Sequence, residues 1–250
     1  MPPAHGDLSN VRVGCAGWSL PRETWPEFPE AGSHLERYAA RLNAAEINSS
    51  FYRPHQPATY ARWAASVPDG FRFSVKLPKT ITHEKRLRDC ENLLDDFLPQ
   101  VTSLGEKLGC LLVQLPPSLA FDAAAVRAFF DALRERHAGA IAIEPRHASW
   151  FTPAADALLQ AAGVGRVLAD PVMFDAGRAP GGDPGLVYVR LHGSPRMYYS
   201  AYAPAVLDAL IVRLKLAAAS DASLWCIFDN TASGAAVPDA LYLARGLARR

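Results

Sequence analysis

The chain has 250 residues, half of them hydrophobic, which is enough for one large α/β domain around a single core. Its formal net charge is only +1, whereas nucleic-acid-binding domains are usually strongly basic, so the charge balance argues against a nucleic-acid partner. The four cysteines are far apart in sequence and include no C-x-x-C pair, which indicates neither a zinc ribbon nor a disulfide framework.

Residues 1–10, MPPAHGDLSN, are predicted to be an N-terminal lead-in, and residues 11–250 to form one domain. The lead-in has neither the basic nor the apolar region of a secretory signal. No stretch approaches the ~18 consecutive apolar residues of a membrane span. We therefore expect a cytoplasmic protein without a membrane partner; nothing in the sequence indicates its oligomeric state.

Eight apolar runs that fit β-strands alternate with segments of helical spacing. The runs are VRVGCAG from Val11, AAEIN from Ala44, FRFSVKLP from Phe71, CLLVQLP from Cys110, AIAIEP from Ala140, GRVLAD from Gly165, LVYVRLHG from Leu186 and LWCIFDN from Leu224. Strand–helix alternation to a count of eight is typical of a TIM barrel. The predicted fold class is therefore α/β, with a single (β/α)8 TIM barrel.

Several predicted helices carry recognisable end signals. Ser33 to Glu36 fits a capping box, and Thr152 with Pro153 fits the start of a helix that stops at Gly163. Residues 122–137 and 203–219 are predicted to form amphipathic helices. Residues 171–185, PVMFDAGRAPGGDPG, are predicted to be a long loop without regular helix.

Polar residues recur at every second position near the ends of the strand-like runs. In a closed barrel alternate residues point inward, and the apolar side of each run must meet the helices, so the polar side is predicted to face the lumen. The inward set includes Glu46, Asn48, Ser74, Lys76, Gln114, Glu144, Arg146, Asp170, Tyr188, Arg190, His192 and Asp229. We expect a polar lumen at the C-terminal strand ends, where barrel enzymes place their active sites. Its charges must be paired or contact a ligand.

Seven stretches of the chain resemble one known family. They are GCAGWS at 14–19, EINSSFYR at 46–53, FSVKLPKTITH at 73–83, LVQLPPS at 112–118, EPRHASWF at 144–151, VRLHG at 189–193 and DNTASGAAVPDAL at 229–241. In order and over essentially the whole chain, they resemble the TIM-barrel family catalogued as domain of unknown function 72. The resemblance implies a TIM barrel and implies no particular activity. Its recurring polar positions fall here on Glu46, Asn48, Lys76, Gln114, Glu144, Arg146, His147, Arg190, His192, Asn230 and Thr231.

Glu144, His192 and Glu46 are the predicted catalytic residues. A carboxylate beside Trp150 would have a raised pKa, while Arg146 would lower it, so Glu144 is either a proton-transfer group or a salt-bridge partner. His192 is either a helper in proton transfer or a satisfied core histidine. Because three carboxylates are expected nearby, the pKa of Lys76 is not expected to be lowered, which argues against a Schiff base.

The predicted binding residues surround this set. Arginine forks suit carboxylate or phosphate groups, which favours an anionic ligand. The predicted substrate-binding residues are Lys76, Arg146, Arg190, Asn48, Tyr52, Gln114, His147, Trp150 and Asn230. No cofactor is predicted; the less favoured alternative is a divalent metal with the ligands Glu46, Glu144, Asp170 and His192.

The sequence favours an enzyme of hydrolase or isomerase/lyase type that uses acid–base chemistry on a small anionic substrate, phosphorylated substrates included. Two alternatives stay open. One is a divalent-metal-dependent phosphodiester hydrolase acting on nucleic acid, for which the basic residues between positions 53 and 88 would have to form one patch. The other is a small-molecule binding protein without catalysis.

Overall fold

The structure, a computed structural model, describes residues 10–249, so all of the predicted lead-in except Asn10 lies outside the described residues. The strands of this part of the chain are β1 Val11–Ala16, β2 Ala44–Ile47, β3 Arg72–Lys76, β4 Leu108–Gln114, β5 Ala140–Glu144, β6 Val164–Arg166, β7 Leu168–Asp170, β8 Gly181–Gly182, β9 Leu186–Leu191 and β10 Ser223–Phe228. Its α-helices are α1 His34–Ala39, α2 Ser49–Tyr52, α3 Pro57–Ala65, α4 Glu91–Val101, α5 Ala123–Arg136, α6 Pro153–Ala161, α7 Pro204–Ala217 and α8 Ala236–Ala248.

The strands form one nearly closed barrel in the order β7-β9-β10-β1-β2-β3-β4-β5-β6-β8. All neighbours are parallel except β6 and β8. Residues 164–170 close the barrel. In this segment β6 pairs with β5, and β7, which follows it directly, pairs with β9. The strand predicted from Gly165 thus takes one place in the barrel, but it consists of two short strands, β6 and β7, separated by Val167. The predicted α/β barrel is confirmed.

The lumen is filled by an apolar cluster that lies below the polar mouth. Its buried members are Ala44, Cys110, Leu112, Ala142, Val167, Leu186, Tyr188, Trp225 and Ile227. The Trp225 ring stacks on Tyr188 with centroids 5.7 Å apart. It fits because Gly109 has no side chain: a Cβ there would lie 2.6 Å from the Trp225 ring. The inward parity predicted for β2, β4, β5, β9 and β10 is confirmed by this cluster.

The parity predicted for Leu168 and Asp170 is wrong. Leu168 packs in the outer core between sheet and helices, while Val167 packs in the lumen. In register, Ala169 lies opposite the inward-facing Arg190, and Asp170 lies opposite the outward-facing Leu191. Both Val167 and Leu168 are apolar, so alternation alone does not tell which of them faces inward.

The helix-end signals are confirmed, and one helix differs from its prediction. Ser33 and Glu36 form the capping box, and Thr152 accepts from the backbone N–H of Ala155 at 3.2 Å. The helix predicted over 203–219 is not amphipathic, because Val212 is 58% and Leu216 is 70% exposed on its solvent side. Residues 171–185 hold only a short 3-10 turn and β8. None of the helices between residues 10 and 249 is long and apolar enough to cross a membrane.

Gly14→Ala should destabilise the barrel, because a Cβ at position 14 would lie 1.9 Å from the carbonyl oxygen of Ala44 on the neighbouring strand. We expect a loss of at least about 1–3 kcal/mol in the free energy of unfolding, measured by urea denaturation. Gly70→Ala is the matched control, since nothing lies within 4 Å of its Cβ position. Equal stability of the two variants would contradict the strand contact.

Candidate functional site at the barrel mouth

The centre of the mouth is the guanidinium of Arg190 on β9, which is 1% exposed. Its Nε and Nη2 donate to the two carboxylate oxygens of Glu46 at 3.0 and 2.6 Å. Its Nη1 donates to Glu144 Oε2 at 2.5 Å, and Nη2 also donates to Asp229 Oδ2 at 3.0 Å. One cation therefore holds together carboxylates from β2, from β5 and from the residue that follows β10.

His192 lies between two of the same carboxylates. Its Nδ1 is 3.0 Å from Asp229 Oδ2, and its Nε2 is 3.2 Å from Glu144 Oε1. Arg146 Nη2 lies 2.5 Å from Glu144 Oε1 and 3.2 Å from His192 Nε2. The protonated imidazole donates from Nε2 to Glu144, whereas the neutral imidazole with its proton on Nδ1 accepts at Nε2 from Arg146. The ring therefore has a hydrogen-bonded arrangement in either protonation state.

The protonation of this cluster is decided by its cations. Burial alone would raise the pKa of Glu144, but Arg190, His192 and Arg146 lower it well below its ordinary value. Burial would also raise the pKa of Asp229, but Arg190 and His192 lower it. Burial would lower the pKa of His192, but its hydrogen bonds to Asp229 and Glu144 raise it. Of the two effects weighed for Glu144 from the sequence, the lowering by neighbouring cations prevails.

Lys76, the last residue of β3, departs from its prediction. Its burial, followed by the charge of Arg190, lowers the pKa of Lys76 to about 8, although three nearby carboxylates act in the opposite direction. The expectation that its pKa is not lowered is wrong, because those carboxylates already face Arg190. Lys76 Nζ lies 4.1 Å from the ring centroid of Phe51. In the part of the chain that the structure describes, it forms no salt bridge within 4.0 Å.

Two buried polar atoms beside the cluster lack partners. Asn48 Oδ1 and Arg146 Nε form no hydrogen bond to any residue between 10 and 249. The Arg146 side chain is 11% exposed and borders a cavity of about 20 Å³ beside Phe151 and Phe174. Buried polar atoms are nearly always hydrogen-bonded in folded proteins. These atoms therefore mark positions for ordered water or for the polar atoms of a ligand.

The structure adds two residues that the sequence analysis missed. Residues 80–84 form a π-helical turn after β3, and such turns are frequent at functional sites. The turn places His83 against Phe51, with ring centroids 4.9 Å apart, and burial with the charge of Lys76 lowers the pKa of His83. Tyr198 packs edge-on against His192 at 5.6 Å and has a φ of +69°. An irregular turn and a left-handed tyrosine leave no signal in hydrophobic periodicity.

The three residues predicted to be catalytic lie together, but their burial changes the roles expected for them. Glu46 and Glu144 are 0% exposed and His192 is 1% exposed. Arg190 was predicted to bind the substrate; in the structure, four of its hydrogen bonds go to Glu46, Glu144 and Asp229. The groups of the centre that reach the surface are Arg146 and Asp229, at 11% and 14% side-chain exposure.

Two further predicted binding residues belong to the core. Trp150 is fully buried, and its Nε1 donates to the carbonyl oxygen of Leu119 at 2.9 Å. Asn230 is fully buried too, and its Nδ2 donates to the carbonyl oxygen of Ser200 at 2.9 Å and to Asp239 Oδ2 at 2.8 Å. Trp150 therefore packs beneath the rim, and Asn230 anchors the loop that follows β9. The Oδ1 of Asn230 forms no hydrogen bond within residues 10–249, and ligand binding by either side chain stays a prediction.

The other predicted binding residues surround the centre. Gln114, opposite Glu144 in register, donates from Nε2 to the carbonyl oxygen of Leu115 at 2.7 Å. His147 caps the turn at 148–150, where its Nδ1 accepts from the backbone N–H of Ser149 at 3.2 Å. Tyr52 is 76% exposed at the rim. Only Tyr52 of these three presents a large surface to a ligand.

The predicted metal-ligand set of Glu46, Glu144, Asp170 and His192 is not assembled. Asp170 Oδ1 accepts from the hydroxyl of Tyr202 at 2.8 Å, on the helix-facing side of the barrel. The two glutamates are paired with Arg190. Across residues 10–249, no group of three or more histidine, cysteine, aspartate or glutamate side chains is arranged to hold a metal ion.

Residues 12–250 match the sequence profile of the family described as "Protein of unknown function DUF72". The chain belongs to this family. The UPF0759 protein YecE of Escherichia coli (strain K12) is 32% identical over 167 residues, which are 64% of this chain and 60% of YecE. The UPF0759 protein YunF of Bacillus subtilis (strain 168) is 26% identical over 151 residues, 57% of this chain and 53% of YunF. The match thus spans 60% or less of each relative.

Solved structures of DUF72 proteins share the fold over nearly the whole chain. A DUF72 family protein from Enterococcus faecalis V583 superposes with a TM-score of 0.79 at 22% identity, covering 96% of both chains. Another, from Thermotoga maritima MSB8, superposes with a TM-score of 0.76 at 25% identity, covering 96% of this chain and 99% of that one. The family predicted from the seven sequence stretches is confirmed.

Glu144→Gln removes the charge that faces Arg190, Arg146 and His192. Because buried cations then lose a partner, we expect a loss of about 3–5 kcal/mol in the free energy of unfolding at neutral pH. The lowered pKa values of Glu144 and Asp229 give stability that is present above their ordinary values of 4.5 and 3.8 and is lost as the pH falls below them. Urea denaturation from pH 7 down to acid should therefore show a shallower pH dependence for the variant.

Glu84→Gln is the matched control. Glu84 pairs with Lys79 at 3.3 Å, but both side chains are about half exposed. Removing this surface pair should change stability by less than about 1 kcal/mol. A loss of the same size in both variants would mean that the buried cluster is not held by its charges.

Proposed function

We propose that this DUF72 protein binds a small anionic ligand, carrying a carboxylate or a phosphate, at the mouth of the barrel. Arg146 and Lys76 are the contact residues of the proposed site. The observation that carries the proposal is that, within residues 10–249, Arg146 Nε forms no hydrogen bond and Lys76 forms no salt bridge, although each cation lies beside a cluster of buried carboxylates. A small anion would give those donors their missing acceptors.

The charge balance of the mouth supports an anion. Three carboxylates, Glu46, Glu144 and Asp229, are matched by Arg190, Arg146 and Lys76. The raised pKa of His192 favours its protonated, positively charged form. The protonated cluster thus carries one positive charge in excess, which favours an anion over a cation or a neutral ligand.

In the proposed enzyme, His192 is the proton-transfer group. Its Nε2 has hydrogen-bonding partners in both protonation states, so the proton can leave or return without a rearrangement of Glu144 or Arg146. Glu144, which three neighbouring cations keep ionised despite its burial, acts as a positioning residue. Tyr198 packs edge-on against the imidazole, with ring centroids 5.6 Å apart. The chemistry would be proton transfer to or from the bound anion.

A second candidate function is non-catalytic binding of the same kind of ligand. It is favoured by the burial of Glu144 and His192, which expose 0% and 1% of their surface. In this case the carboxylates and the imidazole would only set the position and charge of Arg146. A cytoplasmic location and the absence of a nucleic-acid partner stay predictions under both candidates.

Anion binding should depend on Arg146 and Lys76. We expect inorganic phosphate or citrate to bind to the wild-type protein in isothermal titration calorimetry. Arg146→Met and Lys76→Met should each weaken binding about tenfold or more, which corresponds to about 1.4 kcal/mol. Lys79→Met, which removes a half-exposed cation outside the mouth, should bind like the wild type. Equal affinity of all four proteins would contradict the proposed site.

The same binding should depend on pH. Because the pKa of Lys76 is lowered to about 8, its charge and its contribution to affinity are present below pH 8 and are lost as the pH rises through that value. Lys76→Arg keeps the charge at every pH, so titrations at pH 7 and pH 9 should show a smaller loss for this variant. A wild-type affinity that does not fall between these pH values would show that Lys76 does not contact the anion.

Turnover distinguishes the two candidate functions. Phosphorylated and carboxylated metabolites that bind should be incubated with the protein and followed by proton and phosphorus nuclear magnetic resonance. Chemical change with the wild type, together with retained binding and lost turnover in His192→Gln, is expected of the enzyme. Ligands that stay unchanged with the wild type would leave the binding protein as the function.

A further inference from the structure

One outer helix exposes large apolar side chains on the face that points away from the barrel. On α7, Val206 is 48%, Val212 is 58% and Leu216 is 70% exposed. Tyr242 on the neighbouring α8 is 39% exposed and donates its hydroxyl to Asp208 on α7 at 2.9 Å. Apolar residues exposed singly are ordinary on protein surfaces, but a contiguous patch marks an interaction surface.

The exposed face has the spacing of a helix–helix contact. Ala205, Ala209, Val212 and Leu216 are exposed and follow one another at intervals of four, three and four residues. This is the alternation of the a and d positions that face a partner helix. The opposite face of α7, with Leu207, Ile211 and Leu214, is already buried against the barrel. The helix is therefore apolar on two sides, and only one of them has a partner within residues 10–249.

The charges beside this stripe fit a second copy of the same helix. Asp208 and Lys215 flank one side of the stripe, and Arg213 flanks the other. Two antiparallel copies with Ala209 opposite Val212 bring Asp208 opposite Lys215 of the second copy. Two parallel copies bring Asp208 opposite Arg213 of the second copy, five residues further on. Opposite charges meet in both arrangements, and a two-fold axis repeats each pair.

A groove between α7 and α8 widens the surface. It has a volume of about 380 Å³, and its lining includes Ile211, Leu241 and Tyr242. The two helices approach closely at its floor, where a Cβ on Gly246 would lie 2.1 Å from Ile211. A stable interface covers about 800 Å² on each partner, which is more than a stripe one helix wide provides. The groove extends the surface on the side where Asp208 lies, with Tyr242 as its exposed aromatic residue and with Glu23, Glu27 and Arg245 among its charged lining.

We propose that the protein forms a two-fold symmetric dimer in which α7 of one copy packs against α7 and the α7–α8 groove of a second copy. The surface lies on the outside of the barrel, so the dimer is independent of the function proposed for the mouth. Wild-type protein should sediment with twice the 27.1 kDa mass of one chain in analytical ultracentrifugation. Val212→Asp and Leu216→Asp should sediment as monomers, because each buries an uncompensated charge in the interface.

Ala61→Asp is the control for a charge placed on an exposed apolar residue, since Ala61 is exposed on α3 and belongs neither to α7 and α8 nor to the proposed anion site. It should remain a dimer. Circular dichroism and anion titration of all variants show whether the barrel is intact. A monomeric wild type at every concentration, or α7 variants that dimerise like the control, would overturn the proposal.

Cross-linking provides a second test that does not depend on disrupting the surface. The four native cysteines are buried, so a cysteine introduced at the surface is an accessible thiol. Ala209→Cys, at the centre of the stripe, should give a covalent dimer under mild oxidation by copper phenanthroline. Ala61→Cys, at an exposed position on α3, should remain monomeric on a denaturing gel. Equal cross-linking at both positions would show that α7 is not the interface.

Discussion

The enclosure of one arginine by three carboxylates is the interaction on which the rest of this barrel depends. Glu46, Glu144 and Asp229 come from separate strand positions, and without a cation between them their charges would repel one another in a lumen that excludes water. Arg190 joins them by hydrogen bonds of 2.5 to 3.0 Å. Because the guanidinium is planar and rigid, it also fixes where each carboxylate points. His192 and Arg146 are then positioned by carboxylates that are already held.

This arrangement separates the groups that set the electrostatics from the groups that a ligand can reach. Glu144 and Arg190, whose pKa values are strongly shifted, are almost fully buried, whereas the Arg146 side chain is 11% exposed and Lys76 is half-buried. The buried pairs therefore act as a rigid base, and within residues 10–249 the Nε of Arg146 is left without a hydrogen bond. Such a division is the usual way in which a polar site is preorganised.

The sequence predicted the barrel and most of the inward-facing residues, because successive side chains of a strand point to opposite faces and the sequence therefore alternates between them. It was wrong at Asp170, where two successive apolar residues hide the parity. It did not show that the side chains of Trp150 and Asn230 are buried and donate to loop carbonyl groups. The lowered pKa of Lys76 depends on burial and on Arg190 taking up the carboxylates, which no local motif records. His83 is positioned by an irregular turn that has no sequence signature.

The interruption at Val167 has a consequence for the mechanics of the barrel. There the cylinder is closed by two strands of three residues each, and the free edge of β6 pairs only with the two-residue β8. Because few backbone hydrogen bonds hold this segment, we expect the free energy of local opening to be lowest here. Val167 and Ala169 also line the cavity beside Arg146. The segment with the shortest strands thus lies next to Arg146. Local opening of this segment would change the residues that surround the Arg146 guanidinium, while Arg190 and its carboxylate partners stay in place.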